Sequence, residues 1–280
     1  MEIRVWGCRG SIASPGPDSV RYGGNTSCVE VRLANGEVLV LDAGTGIRPL
    51  GLELMRERPA RIDLLLSHLH VDHLEGLGAF PPIWSAETEL HIWGPSSPVR
   101  SLAERVTTYF SPPLFPVHLS EVPARVEFHD TPEGEWSIGS ARLYSQPILH
   151  PGATVGYRIE ADGRTLAYLT DHEPALVSDV RSAPGAWISG FSVASGVDLL
   201  IHDCQYTDQE YDQRVGFGHS SAGQVAVLAQ RTGVGRLLLF HHDPMRTDDE
   251  LDELGDEVCR LWGVGADRCQ VATEGTLVPV

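Results

Sequence analysis

The sequence predicts an α/β protein on the strength of two observations. Short apolar runs with the composition of buried strands alternate with segments whose apolar residues recur at helical spacing. At least four of the apolar runs are followed directly by His or Asp. Because sites in α/β proteins are commonly built at the carboxyl ends of strands, we predict one domain over residues 1–280 with one composite site.

The amino-terminal part is predicted to contain a single strand followed by a hairpin. Residues 2–6 alternate as a strand does and lead into the Gly-rich turn GCRGS. The Pro- and Gly-rich segment ASPGPDSVRYGGNTS that follows is expected to form a long, mobile loop. Residues 28–33 and 38–41 flank the turn ANGE, whose Asn-Gly pair predicts the hairpin. The second hairpin strand leads to Asp42, which we interpret as a brace for the next loop.

The central motif is SHLHVDH, residues 67–73. A predicted helix over residues 50–58 ends before Pro59, a strand over 62–66 leads into the motif, and LEGLGAF after it predicts a helix start. Imidazole and carboxylate groups are ligands for divalent zinc, manganese or iron. His68 and His70 can face one ion, and Asp72 and His73 can face a second. An ordinary solvated loop rarely follows a fully apolar strand, so we interpret this loop as a metal site.

The rest of the chain repeats the pattern of a strand followed by candidate ligands. Strands are predicted over residues 89–93, 126–129, 141–145, 155–159, 166–169, 199–202 and 237–240, with two closing strands, and helices over 98–110, 220–230 and 248–262. His150 lies on the loop before the strand 155–159. The other candidates lie at the carboxyl ends of strands: Asp171, His172, His202, Asp203, His241 and His242. The Pro-rich segment SPPLFPVHL fits a surface connector or a substrate-contacting lid equally well.

Composition excludes several functions. All 21 basic residues are Arg, so a P-loop and Schiff-base chemistry, which need Lys, are absent. The formal charge of −17 repels long nucleic acid. Five Cys without a CxxC pair indicate reduced thiols, and no apolar run approaches a membrane span or a secretion signal. We therefore expect a cytoplasmic protein without membrane contact.

The assembled motifs resemble the metallo-β-lactamase superfamily, and within it the ribonuclease Z and phosphodiesterase-like branch. The resemblance is carried by the central motif, by HPGATVGYRI, LAYLTD and LLLFHHDP, by LLIHDCQY, and by GHSSAGQVA, whose His219 precedes His241 by 22 residues. It implies an αβ/βα sandwich of two mixed β-sheets flanked by helices. It also implies two divalent ions, Zn²⁺ with Mn²⁺ or Fe as alternatives.

The resemblance assigns a role to each candidate residue. One ion is implied to bind His68, His70 and His150, the other Asp72, His73 and His241, with Asp171 bridging. His219 resembles a histidine that stabilises transition-state charge or protonates the leaving oxygen, and Asp203 stands where the branch usually has Glu. Asp72, His219 and Asp203 are thus the catalytic candidates. Neighbouring strand residues point to opposite faces, so only one of His241 and His242 can reach the metals easily, and the spacing favours His241. His172 and His202 stay open, and His91, His118 and His129 are expected to be ordinary residues.

The resemblance favours a hydrolase that uses a metal-bound hydroxide on a small phosphodiester such as a cyclic nucleotide. Hydrolysis of a carboxyl ester, lactone or lactam is an alternative, and so is an iron-containing oxidoreductase on the same fold. A non-catalytic binding protein is disfavoured because it has no need of seven ligands. The chain has no basic arm of the kind that grips transfer RNA, so we expect a small anionic substrate. The oligomeric state stays open, a homodimer included.

Overall fold

A computed structural model describes residues 1–176, 179–278 and 280. Its strands are β1 (Glu2–Gly7), β2 (Cys28–Arg32), β3 (Val38–Leu41), β4 (Ile62–Leu65), β5 (Glu89–Gly94), β6 (Arg125–Asp130), β7 (Gly134–Ile138), β8 (Ala141–Pro147), β9 (Val155–Ala161), β10 (Arg164–Leu169), β11 (Leu199–Asp203), β12 (Arg236–Phe240), β13 (Cys269–Val271) and β14 (Leu277–Val278). Its α-helices are α1 (Ile47–Glu57), α2 (Leu102–Tyr109), α3 (Phe191–Ala194), α4 (Asp208–Tyr211), α5 (Ala222–Thr232) and α6 (Asp248–Trp262). None of the helices in these described ranges is long and apolar enough to cross a membrane.

The strands form two mixed sheets with the same internal plan. Within the described residues, the first sheet has the order β14-β1-β2-β3-β4-β5-β6 and the second β13-β12-β11-β10-β9-β8-β7. In each, one part is antiparallel and the other is parallel, from β3 to β6 in the first sheet and from β10 to β13 in the second. The parallel parts align several strand carboxyl ends at one edge, where the polar loops emerge.

Three of the four buried apolar clusters found among the described residues lie between the four layers of the fold. The largest fills the space between the two sheets and contains side chains from β1, β2, β9 and β10. A second lies between the first sheet and helices α1 and α2, and a third lies between the second sheet and helices α3, α5 and α6. Burial of apolar surface at about 25 cal/mol per Å² is the main force holding these layers together. The predicted sandwich of two mixed sheets flanked by helices is confirmed, whereas the single-domain boundary stays a prediction.

Two fully buried tyrosines tie the sheets together beside the polar edge. Tyr157 on β9 donates a hydrogen bond to the Leu66 carbonyl (2.8 Å), and Tyr168 on β10 donates one to Asp42 Oδ2 (2.8 Å). The backbone adds a bond from Val155 N–H to the Ser67 carbonyl (2.9 Å). The loop after β4 is therefore fixed from both sheets.

The structure corrects several local predictions. The segment after the central motif forms two short 3₁₀ helices (Leu77–Ala79 and Pro81–Trp84) instead of an α-helix, because the backbone packs closely there. A Cβ on Gly76 would lie 2.0 Å from the Gly44 carbonyl oxygen. Helix α2 starts later than expected, after the Ser101 capping box. Strand β7 was not predicted, because its sequence GEWSI is short and its strand pattern weak.

Candidate metal centre

The first group of candidate ligands comprises His68, His70, His150 and Asp171, whose ligand atoms all lie within 4.8 Å of one another. His70 Nδ1 and His150 Nε2 are 3.1 Å apart. Asp171 Oδ2 lies 3.6 Å from both His68 Nε2 and His150 Nε2. His68 Nε2 is buried and has no hydrogen-bond partner among the described residues. A buried imidazole nitrogen without a hydrogen-bond partner, close to other possible metal ligands, is available to coordinate a metal ion.

The second group comprises Asp72, His73, Asp171 and His241, again within 4.8 Å. His241 Nε2 lies 3.1 Å from Asp72 Oδ2 and 3.0 Å from Asp171 Oδ1. His73 Nε2 lies 3.3 Å from Asp72 Oδ2 and 3.1 Å from Asp171 Oδ1. All four residues are buried. This set of imidazole and carboxylate donors fits a divalent ion such as zinc.

Asp171 links the two groups with its two oxygens. Oδ2 faces His68 and His150, whereas Oδ1 faces His73 and His241. A carboxylate that offers one oxygen to each of two donor sets can hold two cations side by side. The structure therefore brings the seven predicted ligands into two adjoining groups that share Asp171.

Backbone conformation directs three residues into this region. Asp42, Asp171 and His241 follow the ends of β3, β10 and β12, and each has a positive φ (61°, 42° and 56°). Non-glycine residues rarely adopt this conformation, and it is concentrated at functional sites. The positive φ turns the backbone sharply after each strand, and the three side chains lie at the centre: Asp42 contacts His73, and Asp171 contacts His241.

Hydrogen bonds fix the tautomers of the candidate ligands. His73 Nδ1–H donates to Asp42 Oδ2 (2.8 Å), and His150 Nδ1–H donates to the Gly218 carbonyl (2.9 Å), which leaves each Nε2 free for the centre. His68 Nδ1 contacts Ser67 Oγ (3.0 Å), which in turn donates to Asp42 Oδ2 (2.9 Å). Such partners orient metal-binding histidines. The role of Asp42 as a brace agrees with the interpretation from sequence.

The electrostatics of the two groups differ. Burial lowers the pKa values of His68, His70 and His150 and so favours the neutral imidazole, the form that binds metal. Burial also opposes charge on His241, but Asp171 and Asp72 outweigh it and raise the pKa of His241 to about 10. The second group thus attracts positive charge, which a divalent ion supplies in place of protons.

We expect Asp42→Asn to weaken binding to the second group. Asn keeps the shape and tolerates a positive φ, but His73 loses the carboxylate that fixes its tautomer. The affinity for the second Zn²⁺ should fall about 10–100-fold, the usual effect of losing such a partner. Titration against a competing chelator measures it. Asp162→Asn is the matched control, because Asp162 also has a positive φ but lies in the turn between β9 and β10; equal affinities in the two variants would contradict the prediction.

His219 and Asp203 lie beside both groups of candidate ligands. His219 Nδ1 is 2.6 Å from Asp203 Oδ2, and its ring stacks on that of His241 with centroids 5.0 Å apart. The His150 ring lies 5.2 Å away on another side. Asp203 is fully buried and also accepts hydrogen bonds from the backbone of Gln205 (3.0 Å) and Ser220 (3.1 Å). This rigid carboxylate leaves Nε2 as the free nitrogen of His219.

The remaining histidines near the centre have other partners. His172 Nδ1 and His202 Nε2 are 2.9 Å apart, and His202 Nδ1–H donates to the Asp203 carbonyl (2.6 Å). His242 Nε2–H donates to the Ala272 carbonyl (3.0 Å), on the side of the chain opposite to His241. None of these three histidines belongs to any of the four groups of possible ligands found among the described residues, one of which joins Asp203 and His219 to His241.

Sequence reasoning missed the contribution of the amino-terminal loop. Ser11 N–H donates to Asp72 Oδ2 (2.7 Å), and Gly10 lies so close to His241 that a Cβ would be 2.4 Å from the ring. Arg9 is fully buried and bonds to the carbonyls of Gly23 (2.9 Å) and Arg246 (2.7 Å). Arg9, Gly10 and Ser11 belong to the Gly-rich turn after β1, and these contacts hold that turn against the centre. The one available signal was GCRGS, a Gly-rich turn directly after a strand.

Comparisons with known proteins identify the family. The family model described as "Beta-lactamase superfamily domain" matches residues 38–242. A ribonuclease Z of Mycobacterium sp. (strain KMS) is 27% identical over 285 residues, covering 89% of this chain and 92% of the relative. The metallo-β-lactamase fold protein YhfI from Bacillus subtilis superposes with a TM-score of 0.71 at 18% identity, over 99% of both chains. A diphosphatase from the PhnP family superposes with a TM-score of 0.67 at 19% identity, over 100% of this chain and 97% of that one.

The chain belongs to the metallo-β-lactamase superfamily, as the resemblance in its motifs indicated. This fold implies the use of divalent metal, and the two groups of imidazole and carboxylate donors, all buried except His70, fit such ions.

Proposed function

We propose that the protein is a dinuclear metal-dependent hydrolase of small phosphodiesters. In this proposal His68, His70 and His150 hold one ion, Asp72, His73 and His241 hold the other, and Asp171 bridges them. The observation that carries the choice of substrate class is the His219–Asp203 pair, 2.6 Å apart, next to both groups. Expulsion of an alkoxide from phosphorus calls for a positioned proton donor, and His219 held by Asp203 is placed to be one.

The protein residues have distinct roles in this reaction. When bound, the two ions lower the pKa of water towards about 7 and stabilise charge on the attacking and leaving oxygens. Asp171 and Asp72, which are themselves proposed ligands, also contact His73 and His241 and so help to hold these two imidazoles in place. His219, oriented by Asp203, donates a proton from Nε2 to the leaving oxygen, the kind of positioned proton transfer for which histidine is used most often.

Charge and surface support a small anionic substrate. With a formal charge of −17 and no Lys, the protein repels a long polyanion, whereas two divalent ions attract a single phosphate group. Ile12, Val71 and Phe217 are exposed and lie next in sequence to Ser11, His70 and Gly218, which contact or belong to the centre. These apolar side chains suit a diester with an apolar or aromatic part, such as a nucleoside.

The proposal is tested with a panel of substrates on protein loaded with Zn²⁺ or Mn²⁺. The panel contains bis(p-nitrophenyl) phosphate, p-nitrophenyl phosphate, cyclic nucleotides, a lactone and a precursor transfer RNA. We expect turnover of diesters that exceeds turnover of the monoester and the lactone, is lost with a chelator and returns with metal. Asp72→Ala serves as the control for contaminating activity, because it removes a candidate ligand.

Two outcomes of this panel would contradict the proposal. Turnover of the lactone without turnover of any diester would assign carboxyl-ester chemistry to the same centre. Processing of the transfer RNA precursor without turnover of cyclic nucleotides would show that the substrate is a long nucleic acid, in line with the names of the curated relatives.

A further inference from the structure

A second cluster of metal-binding side chains lies on strands β5 and β6, away from the centre described above. It consists of Glu89, His91, Glu127 and His129, and we name it the β5–β6 cluster. His91 is paired with Glu127, and Trp93 with His129, in the parallel register of the two strands. Leu90 and Ile92 pack towards the helices, so the alternate residues His91 and Trp93 face the second sheet.

Hydrogen bonds prepare His91 as a ligand. His91 Nε2–H donates to Glu89 Oε1 at 2.8 Å, which leaves the Nδ1 lone pair directed at His129 Nε2, also at 2.8 Å. A carboxylate behind the imidazole is the usual arrangement for a metal-binding histidine. His91 is buried, so the orientation of its ring is fixed by packing as well.

Arg125 positions the carboxylates of the cluster. It pairs with Glu127 Oε1 and reaches Glu89 Oε2 at 3.5 Å. The other oxygen of Glu127, Oε2, faces His91 Nδ1 at 3.8 Å. One oxygen of Glu127 is thus held by a cation while the second points to the two imidazole nitrogens.

We propose that the β5–β6 cluster binds a divalent transition metal, with Zn²⁺ as the best-suited ion. The ligands are His91 Nδ1, His129 Nε2 and Glu127 Oε2, whose atoms lie within 4.8 Å of one another. Two imidazoles and a carboxylate with water as the fourth ligand form a common zinc site. This site is separate from the seven residues of the dinuclear centre and does not depend on the proposed function.

A zinc ion can take the place of the hydrogen bond between His91 Nδ1 and His129 Nε2, which are 2.8 Å apart. Tetrahedral zinc with Zn–N bonds of about 2.0–2.1 Å requires the two nitrogens to separate to about 3.4 Å, so His129 must move outward by roughly half an ångström. β6 is the edge strand of its sheet, and His129 is only half-buried. Its ring stacks on Trp93, with centroids 4.2 Å apart, and can slide along that surface. Bound metal would join the edge strand to its neighbour.

The test is zinc stoichiometry at a buffered, saturating concentration of free Zn²⁺. Wild-type protein, His129→Ala and Glu127→Gln are compared, with His118→Ala as the matched control, because His118 is an exposed histidine outside the cluster. Both cluster variants should bind one zinc fewer than the wild type and the control. Glu127→Gln is included because it changes a half-buried surface side chain and is expected to fold. It therefore tests the site even if His129→Ala does not fold. The rate of the His129→Ala enzyme at saturating metal should stay within about twofold, since surface substitutions have small effects.

Zinc-edge anomalous diffraction from soaked crystals locates the ion directly. We expect a peak within bonding distance of His91 Nδ1 and His129 Nε2. Equal zinc stoichiometry in all four proteins, or a map without this peak, would overturn the proposal. Failure of the dinuclear centre to bind metal would not imitate either result, because the comparison is a difference between variants that share that centre.

Discussion

Asp171→Ala is expected to bind at most one metal ion per chain and to lose activity by more than about 10³-fold, beyond the 10–100-fold loss typical of residues that only orient a ligand. The physical reason is the double contact of this side chain, because its two oxygens face His68 and His150 on one side and His73 and His241 on the other. Without it, two cations would lie close together with one fewer negative charge between them. Elemental analysis after gel filtration, combined with the diester assay, measures both effects.

The neighbouring residue provides the matched control for Asp171. Thr170 Oγ1 donates a hydrogen bond to Asp171 Oδ1 (2.9 Å) but belongs to neither group of ligands. Thr170→Val removes that bond and keeps the carboxylate, so it should retain both ions and most of the activity. Two ions in Asp171→Ala would contradict the bridging assignment, and an equal loss in the two variants would indicate general damage to the loop after β10.

His219→Ala is expected to keep both ions and to lose about 10²–10⁴-fold in rate, the usual contribution of positioned proton transfer. The loss should depend on the leaving group. An alkoxide of high pKa needs a proton and should suffer most, whereas p-nitrophenolate, whose conjugate acid has a pKa of about 7, leaves well unaided. The measurement is kcat/KM for diesters with graded leaving groups, with metal content determined in parallel.

Two comparisons sharpen the interpretation of His219. Added imidazole should restore part of the rate in His219→Ala, since it replaces the lost proton donor, but it should have no effect on Asp171→Ala. Asp203→Asn should give a smaller loss with the same dependence on the leaving group, because Asp203 orients His219 without touching substrate. A loss that is uniform across leaving groups would assign charge stabilisation to His219. An unchanged rate with both ions bound would remove the argument for phosphodiesters over lactones.

Local sequence determined most of the secondary structure that surrounds the centre. The hairpin of β2 and β3, strand β4 before the central motif and helix α5 with its Gly233 end all form as predicted, because turn, capping and periodicity signals act over a few residues. The same reasoning failed for LEGLGAF, where it predicted the start of an α-helix. Its apolar spacing fits a helix, but close contact between backbone segments, which only tertiary packing creates, gives separate 3₁₀ turns.

The candidate ligands were identifiable from sequence because each is a His or Asp at the end of an apolar strand. That pattern, with the motifs of the superfamily, named all seven residues that the structure brings into two groups. It also favoured His241 over its neighbour His242, because His241 follows His219 by 22 residues, the spacing on which the resemblance rests. The type of each residue and its position after a strand were therefore enough to predict which residues form the two groups.

Only the tertiary structure decided which distant residues meet. Ser11 and Gly10 reach the centre across about 60 or more residues of sequence, and the β5–β6 cluster forms because two strands 36 residues apart pair in one particular register. No local pattern specifies such a register, because it results from packing both faces of a sheet at once. The sequence by itself determined which side chains could bind metal, and the pairing of strands decided that His91 and His129, each unremarkable alone, lie 2.8 Å apart.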